Sequence, residues 1–341
     1  MSDKRQLAVH ARAHSMDAGA AIDPGRSSPI AKDELGSLQQ RSDARGLLRL
    51  AGHLSAIAGA GLLYTLALQR SPSLLLHAAC AVVLGFPLVT MFATMHECVH
   101  KTAFKSRWLN SAVGWLAGLL SFYNSTFYWP YHVWHHRYTQ LPGQDPELED
   151  PKPTSYFSYV LELSALPWWI GKLRLYLKLV VGQFGSYRFL NDKSGPAAVR
   201  SVRLQLLTYA TASGISLWLG YPYFFLYWLL PVALAQPLLR AILLAEHMGC
   251  SNDADMLGNT RTTYTVWPVR FLMWEMPYHA EHHRFPALPF FSLARAHVRL
   301  EPYLSVVERQ GYSGLHFGLL KAFRKSPALS ANDTPKEARS E

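Results

Sequence analysis

The chain has 341 residues, of which half are hydrophobic and 13% are aromatic, and it carries a formal net charge of +10. This composition is too apolar for an ordinary soluble protein, yet whole stretches are polar, which indicates a few membrane helices joined to a sizeable aqueous part. Lys and Arg residues are spread through the loops instead of gathering with aromatic side chains on one surface, so we expect no nucleic-acid partner.

Both ends of the chain are polar. Residues 1–45 contain Gly, Ser, Pro and mixed charges without an apolar run, so we expect a disordered cytoplasmic tail that lacks a secretory signal. One membrane domain is expected over residues 46–325, followed by a loose tail over residues 326–341. The three cysteines, Cys80, Cys98 and Cys250, have no paired spacing, so we expect reduced thiols that face a cytosol.

Four apolar stretches are long enough to cross the hydrocarbon core of a bilayer, which is roughly 30 Å thick and takes about 20 helical residues. They cover residues 50–69, 74–95, 204–220 and 223–245. Short connections join the first stretch to the second and the third to the fourth. The sequence therefore predicts an all-α integral membrane fold with two helical hairpins, separated by an insert over residues 96–203.

The positive charges predict the orientation of these spans. Eight Lys or Arg residues precede residue 50, twelve lie between residues 100 and 204, and eleven follow residue 247, whereas the two short connections carry only Arg70. By the positive-inside rule, both termini, the insert and the C-terminal part over residues 246–325 face the cytoplasm. Two further apolar stretches, residues 109–129 and 156–171, are predicted to be interfacial segments of this cytoplasmic helical cap.

Nine of the fifteen histidines form three dense groups and one isolated position, each at an edge of apolar sequence. On a helix, positions i, i+3 and i+4 share a face, so each group directs its imidazoles to one point. Nine imidazoles are too many for one zinc ion, which takes about four ligands, but they suit two metal ions. The predicted ligands are His96, His100, His132, His135, His136, His247, His279, His282 and His283.

Two other interpretations of these histidines are weaker. His96-Glu97-x-x-His100 matches the zinc-protease pattern, but that interpretation leaves the seven other histidines unexplained. We therefore interpret Glu97 as an acceptor for an imidazole N–H. A metal transporter would hold its ligands near the bilayer midplane, whereas these histidines lie at span ends. No ligand role is assigned to the remaining histidines, which are His10, His14, His53, His77, His297 and His316.

The order H-x-x-x-H, H-x-x-H-H, H-x-x-H-H resembles the membrane fatty acid desaturase superfamily, and the similarity runs from about residue 50 to residue 305. Glu246-His247-x-Gly249-Cys250 and Met276-Pro277-Tyr278-His279 resemble a bacterial branch of that superfamily, which includes desaturases and fatty acid decarboxylases that make terminal alkenes. The resemblance implies two iron ions, O2 as co-substrate, and electrons from a ferredoxin or cytochrome b5-type donor. It also implies a fatty acid or acyl-lipid substrate and a location in the bacterial inner membrane.

One residue departs from the pattern of that branch, which has an asparagine shortly before Met-Pro-Tyr-His. Here the residue is Glu275, four positions before His279, so in a helix its carboxylate would reach the metal site. We therefore predict a catalytic role for Glu275. Desaturation is the expected reaction, and oxidative decarboxylation to a terminal alkene, or hydroxylation, is the alternative on the same site.

Overall fold

The computed structural model describes residues 29–325 of the chain, and this part is mostly helical, as predicted. The helices are α1 (Lys32–Leu38), α2 (Asp43–Arg70), α3 (Leu74–Val99), α4 (Arg107–Ser121), α5 (Ser125–Tyr138), α6 (Tyr156–Leu163), α7 (Leu166–Val180), α8 (Ser194–Trp218), α9 (Leu230–His247), α10 (Trp267–Leu272), α11 (His279–Arg284), α12 (Phe290–Leu300) and α13 (Gly311–Lys325). Short 3-10 turns lie at Pro146–Leu148 and Glu301–Tyr303, and a π-helical turn at Phe225–Leu229 leads into α9.

Two short strands, which the sequence analysis did not predict, join distant parts of the C-terminal region. β1 (Thr262–Thr263) pairs in parallel with β2 (Val307–Glu308), and Thr262 lies opposite Val307. Strands of two residues are too short to show the alternating pattern on which strand prediction depends. β1 also reaches the chain just before α11, because the Thr263 N–H donates to the Pro277 carbonyl oxygen at 2.9 Å. The strand pair thereby helps to position the histidines of α11.

α3 is the central helix, and it packs against α2, α4 and α9. Its side chains are buried almost without interruption from Leu84 to Val99, as expected for a helix surrounded by protein. Gly85 allows the close crossing of α3 and α9, because a Cβ atom at this position would lie 2.0 Å from the carbonyl oxygen of Pro231. This crossing brings the C-terminal ends of both helices, and therefore His96 and His247, to one side of the fold.

Three helices in the described part of the chain are long and apolar enough to cross a membrane, namely Asp43–Arg70, Leu74–Val99 and Phe225–His247. They contain the predicted spans over residues 50–69 and 74–95 and all but the first two residues of the span over residues 223–245. Most of the remaining predicted span, residues 204–220, lies in α8, which ends at Trp218 and in which Gln205 and several Thr and Ser residues lower the hydropathy. α8 nevertheless exposes Leu207 and Leu217 on its outer surface, so its membrane crossing and the two-hairpin arrangement stay predictions.

Both predicted interfacial stretches form pairs of helices instead of single ones. Residues 109–129 divide between α4 and α5 because Phe122 adopts a left-handed conformation with φ 61°, after which Asn124 caps α5 by accepting a 3.0 Å hydrogen bond from the Phe127 N–H. Residues 156–171 divide between α6 and α7 at Ala165, with φ 64°. Each break turns the chain sharply beside the histidine-bearing segments.

The predicted N-terminal tail differs from the structure in its last part. α1 lies within residues 29–45, and its Leu38 side chain is buried, as is Ile30 just before it. Residues 29–45 are therefore ordered, because apolar side chains spaced through this segment contact the main core. The rest of that tail, residues 1–28, and the predicted C-terminal tail, residues 326–341, lie outside the described residues.

The cytoplasmic orientation remains a prediction that labelling tests directly. In intact cells, we expect a membrane-impermeant maleimide to modify a Ser71→Cys variant, since Ser71 follows α2 at the end predicted to be non-cytoplasmic, and to miss a Thr154→Cys variant. The unmodified chain is the control, because Cys80 and Cys98 are buried and only Cys250 is partly accessible. The opposite pattern, with Thr154→Cys modified and Ser71→Cys protected, would reverse the proposed orientation.

Candidate metal centre

Four segments bring all nine predicted histidines to one place. His96 and His100 lie at the C-terminal end of α3, and His247 is the last residue of α9. The other two groups lie on α5 and α11, where helical spacing turns the three imidazoles of each group to one face. All nine are buried except His100, which is partly exposed. The predicted convergence of the nine histidines is therefore present.

The first histidine group consists of His96, His100, His132, His136 and His282, whose ligand atoms all lie within 4.8 Å of one another. The Nε2 atoms face one another: His96 and His132 are 2.6 Å apart, and His136 lies 3.0 Å from His132. His282 Nε2 is 3.1 Å from His136 Nε2, so α11 completes the group. Residues from three segments thus surround one point.

The second histidine group consists of His135, His247 and His283, also within 4.8 Å of one another. His279 adjoins this group, since its Nε2 atom lies 3.3 Å from that of His247 and 3.1 Å from that of His283. The ring of His283 also stacks on that of His136, with a centroid distance of 4.2 Å. The two groups are therefore neighbours, as a dinuclear site requires.

The chemistry of these side chains fits metal ions. Burial lowers the pKa of His100 to about 3 and that of His282 well below its usual value, so both imidazoles are neutral. Burial has the same effect on His132, His136, His279 and His283. A neutral imidazole whose proton is on Nδ1 has a lone pair on Nε2, and several such lone pairs facing one another are repulsive unless a cation lies between them.

In several of these histidines a hydrogen bond at Nδ1 holds the ring so that Nε2 is free to bind a metal. Nδ1 of His135 donates to Asp145 at 2.9 Å, and Nδ1 of His247 donates to the carbonyl oxygen of Asn259 at 3.1 Å. The remaining contacts of this kind are from His132 to Tyr128 and from His283 to Thr139. Such outer contacts fix the tautomer and the ring orientation in metal sites.

Asp145 is the strongest of these outer partners. Its carboxylate is buried, and it also accepts hydrogen bonds from the backbone N–H groups of Gln140 at 2.7 Å and Glu147 at 2.9 Å. Burial lowers the pKa of His135, but the carboxylates of Glu147 and Asp145 outweigh burial and raise it. These carboxylates therefore favour positive charge at the His135 ring, whether a proton or a metal ion supplies it. Asp145 was not predicted from the sequence, although an aspartate directly before Pro146 is a recognisable cap.

Glu97 does not accept an imidazole N–H, contrary to our sequence-based interpretation. One of its carboxylate oxygens accepts from the Thr102 hydroxyl at 2.8 Å and from the Phe290 N–H at 3.2 Å. The other oxygen, Oε1, is buried and has no hydrogen-bond partner within residues 29–325. The reason is geometric, because Glu97 follows His96 directly and therefore lies on a different face of α3.

A second carboxylate holds α11 in place and was not predicted from the sequence. Glu281, fully buried between two ligand candidates, accepts from Nδ1 of His297 at 2.5 Å and from the Thr262 hydroxyl at 2.5 Å. His297 in turn contacts the Tyr264 hydroxyl at 2.8 Å. His297 thus has a structural partner, and its lack of a ligand role stays a prediction. These hydrogen bonds connect α11 to β1 and α12.

Of the other histidines without a predicted ligand role, three have structural partners. His53 is buried and contacts Pro87 and Trp274, His77 contacts two backbone carbonyl oxygens near its helix start, and His316 contacts Tyr159 and Ala241. His10 and His14 lie outside the described residues. None of the three described here belongs to either histidine group.

The structure corrects the prediction for Glu275. The stretch before His279 is not helical, since Trp274 and Glu275 have φ values of 49° and 60°, so the assumed helical turn toward the metals does not exist. The Glu275 carboxylate instead binds Arg49 at 3.2 Å and Arg270 at 2.8 Å. Glu275 therefore links α2 to the segment before α11 and has the surroundings of a structural residue.

We expect Glu275→Gln to lower stability without changing the reaction product. The substitution leaves the partly buried Arg49 and Arg270 without their carboxylate, which costs about 1–3 kcal/mol for groups of this kind. Thermal unfolding of the purified protein measures the loss, and Glu34→Gln, which removes an exposed ion pair with Arg299, is the matched control. An altered product with unchanged thermal stability would restore the catalytic role that the sequence suggested for Glu275.

Comparison with known proteins agrees with this site. The sequence model of the fatty acid desaturase family matches residues 72–310, a range that contains all nine histidines. A curated relative, the sn-1 oleoyl-lipid 12-desaturase of Picosynechococcus sp., is 24% identical over 250 residues, which are 64% of this chain and 67% of that protein. Because the family match covers well over half of the sequence, the chain belongs to the fatty acid desaturase family.

Proposed function

We propose that the protein is an O2-dependent di-iron oxidoreductase of the membrane that desaturates a fatty acid or fatty acyl chain. The observation that supports this proposal best is the pair of adjacent histidine groups at the ends of two helices that are apolar enough to cross a membrane. Membership of the desaturase family accounts for an oxidoreductase that acts on lipid. The desaturation itself is our extension of these findings.

The two histidine groups divide the metal ligands between two ions in this proposal. The first histidine group would hold one iron, and the second histidine group together with His279 would hold the other. Two iron ions, when bound, supply the redox chemistry that makes O2 reactive enough to attack an unactivated C–H bond. Asp145, Asn259, Tyr128 and Thr139 keep the imidazoles in the required orientation.

Aromatic side chains cover the first histidine group and keep water away from it. The Phe92 ring lies 6.0 Å from that of His96, and the Tyr128 ring stacks on that of His132 at 4.9 Å. The Tyr123 ring packs in turn on Phe92, with a centroid distance of 4.5 Å. An apolar layer beside the metals would suit an acyl chain that enters from the bilayer, since apolar carbons would replace water there. Electrons would come from a ferredoxin or cytochrome b5-type protein on the cytoplasmic side of a bacterial inner membrane.

Oxidative decarboxylation of a free acid to a terminal alkene is the second candidate. The sequence similarity around Met276–His283 supports this reaction. Glu275 no longer supports it, because its carboxylate binds two arginines. Hydroxylation would use the same site. The position of the substrate chain relative to the metals selects among these outcomes.

Product analysis tests the proposal. The iron-loaded protein in nanodiscs is supplied with O2, ferredoxin, ferredoxin reductase and either palmitate or a palmitoyl lipid, and products are identified by gas chromatography with mass spectrometry. An unsaturated acid of unchanged length is the expected result. An alkene one carbon shorter together with carbon dioxide would favour decarboxylation, and consumption of O2 without any lipid product would contradict the proposed function.

A further inference from the structure

Lys172 is a cation in unusual surroundings. It lies on α7 and is half-buried, and its ammonium nitrogen is 3.9 Å from the centre of the Tyr123 ring and 5.6 Å from that of Trp168. Within residues 29–325 no carboxylate forms an ion pair with Lys172, and no hydrogen-bond acceptor contacts it. Burial and the nearby Arg240 lower the pKa of Lys172 to about 7, so an anion beside it would stabilise the charged form.

Arg240 on α9 is the cation that acts on Lys172, and Gln236 lies one helical turn before Arg240. Gln236 and Arg240 are four residues apart and His247 follows seven residues later, so the three share one face of the helix. Arg240 forms a 2.6 Å ion pair with Glu162. Gln236 is completely buried, and neither its amide nitrogen nor its amide oxygen has a hydrogen-bond partner in the described part of the chain. Buried polar groups are normally paired, so an amide left in this state indicates a missing partner.

Tyrosine rings connect this polar region to the candidate metal centre. Tyr123, which contacts Lys172, has its ring 6.2 Å from that of Tyr128, and the Tyr128 hydroxyl lies 3.1 Å from Nδ1 of His132. The Tyr123 hydroxyl accepts a hydrogen bond from Trp168 at 3.0 Å, which fixes the ring beneath the ammonium group. Two tyrosine rings, those of Tyr123 and Tyr128, therefore separate Lys172 from the first histidine group. A single lipid substrate is long enough to contact both.

We propose that Lys172, with Arg240 and Gln236, binds the carboxylate of a free fatty acid, so that the substrate is an unesterified acid. This inference rests on the proposed function and specifies its substrate class. Glu162 neutralises Arg240, and the nearby carboxylates of Glu147 and Glu246 lie against His135 and His279, at 3.7 Å and 3.5 Å. Asp150 favours the charged form of Lys172 less than Arg240 opposes it, and it forms no ion pair with Lys172. A monoanion beside Lys172 therefore balances its charge, whereas a neutral ester does not. The Gln236 amide can donate to the same carboxylate.

Ligand binding without turnover tests this inference. The full-length, iron-loaded protein is placed in phosphatidylcholine nanodiscs under argon, and equilibrium binding of palmitate is compared with that of methyl palmitate. We expect at least about tenfold tighter binding of the acid, as loss of one partly buried ion pair with a ligand commonly costs this much. Lys172→Gln should abolish the preference without changing affinity for the ester, and Lys172→Arg should retain most of it. Lys178→Gln, an exposed lysine on the same helix, is the matched control.

Three results would overturn the inference. The first is equal affinity of the unmodified protein for acid and ester, and the second is an equal loss of preference in Lys172→Gln and Lys178→Gln. The third is loss of palmitate binding when phosphatidylglycerol replaces phosphatidylcholine, which would assign the cation to a phospholipid headgroup. Oxygen-dependent turnover of an acyl lipid without any preference for the acid contradicts only this inference. Failure of every acyl substrate in the iron-loaded protein contradicts the proposed function instead, whatever the binding result.

Discussion

Replacing His282 with Ala is expected to abolish turnover and to reduce the bound metal. The His282 side chain is completely buried, and its Nε2 atom lies 3.1 Å from that of His136. Its ring also lies 4.7 Å from that of His96 and 4.6 Å from that of His100, so it contacts most of the first histidine group. No other side chain can take its place, because the neighbours are themselves predicted ligands. His135→Ala should have the same effect at the second histidine group.

The matched control for this prediction is His77→Ala. His77 is a histidine at the opposite end of α3, and its Nε2 atom contacts only backbone carbonyl oxygens, of Ala67 and Ser71. We expect this variant to keep both its metal content and its rate of product formation. The measurements are metal analysis and oxygen-dependent product formation on the same preparations. Full activity in His282→Ala would show that the first histidine group is not the catalytic site.

Asp145→Asn is the second substitution with a large expected effect. Asn has the same shape as Asp, but its one amide oxygen can accept from only one of the two backbone N–H groups, Gln140 or Glu147, and it removes the negative charge that holds Nδ1 of His135. Loss of an outer partner of a metal-bound imidazole typically costs about 10–100-fold in metal affinity or activity. We therefore expect weaker metal binding and slower turnover, with the fold intact.

Metal titration and steady-state turnover measure this effect. Asp192→Asn is the control, since Asp192 is exposed and lies in the loop before α8. A variant of Asp145 that binds metal and turns over like the unmodified protein would show that the contact with His135 serves only the local turn. Equal losses in both variants would point to a general effect of negative charge near the site.

The histidines could be predicted from the sequence because their spacing is a local property of helices. His132, His135 and His136 lie on one face of α5 whatever surrounds it. Their division between two groups could not be predicted, because His136 joins His96 while His135 joins His247. That division depends on how α3, α5, α9 and α11 pack.

The outer partners escaped prediction because they come from loops and from distant segments. Asp145 reaches His135 from a turn ten residues away, and Thr262 reaches Glu281 from a strand of two residues. The error about Glu275 had another origin, since the prediction assumed a helix where the backbone has two consecutive residues with positive φ. Positive φ in residues other than glycine is uncommon and is set by tertiary contacts, here with Arg49 and Arg270.

Metal analysis shows whether two iron ions occupy the two histidine groups, as proposed. The purified protein is freed of adventitious metal and loaded anaerobically with ferrous iron. We expect two iron ions per chain, both ions retained in His77→Ala and a lower content in His282→Ala and His135→Ala. A single ion per chain, or two ions that persist in both of the latter variants, would contradict it.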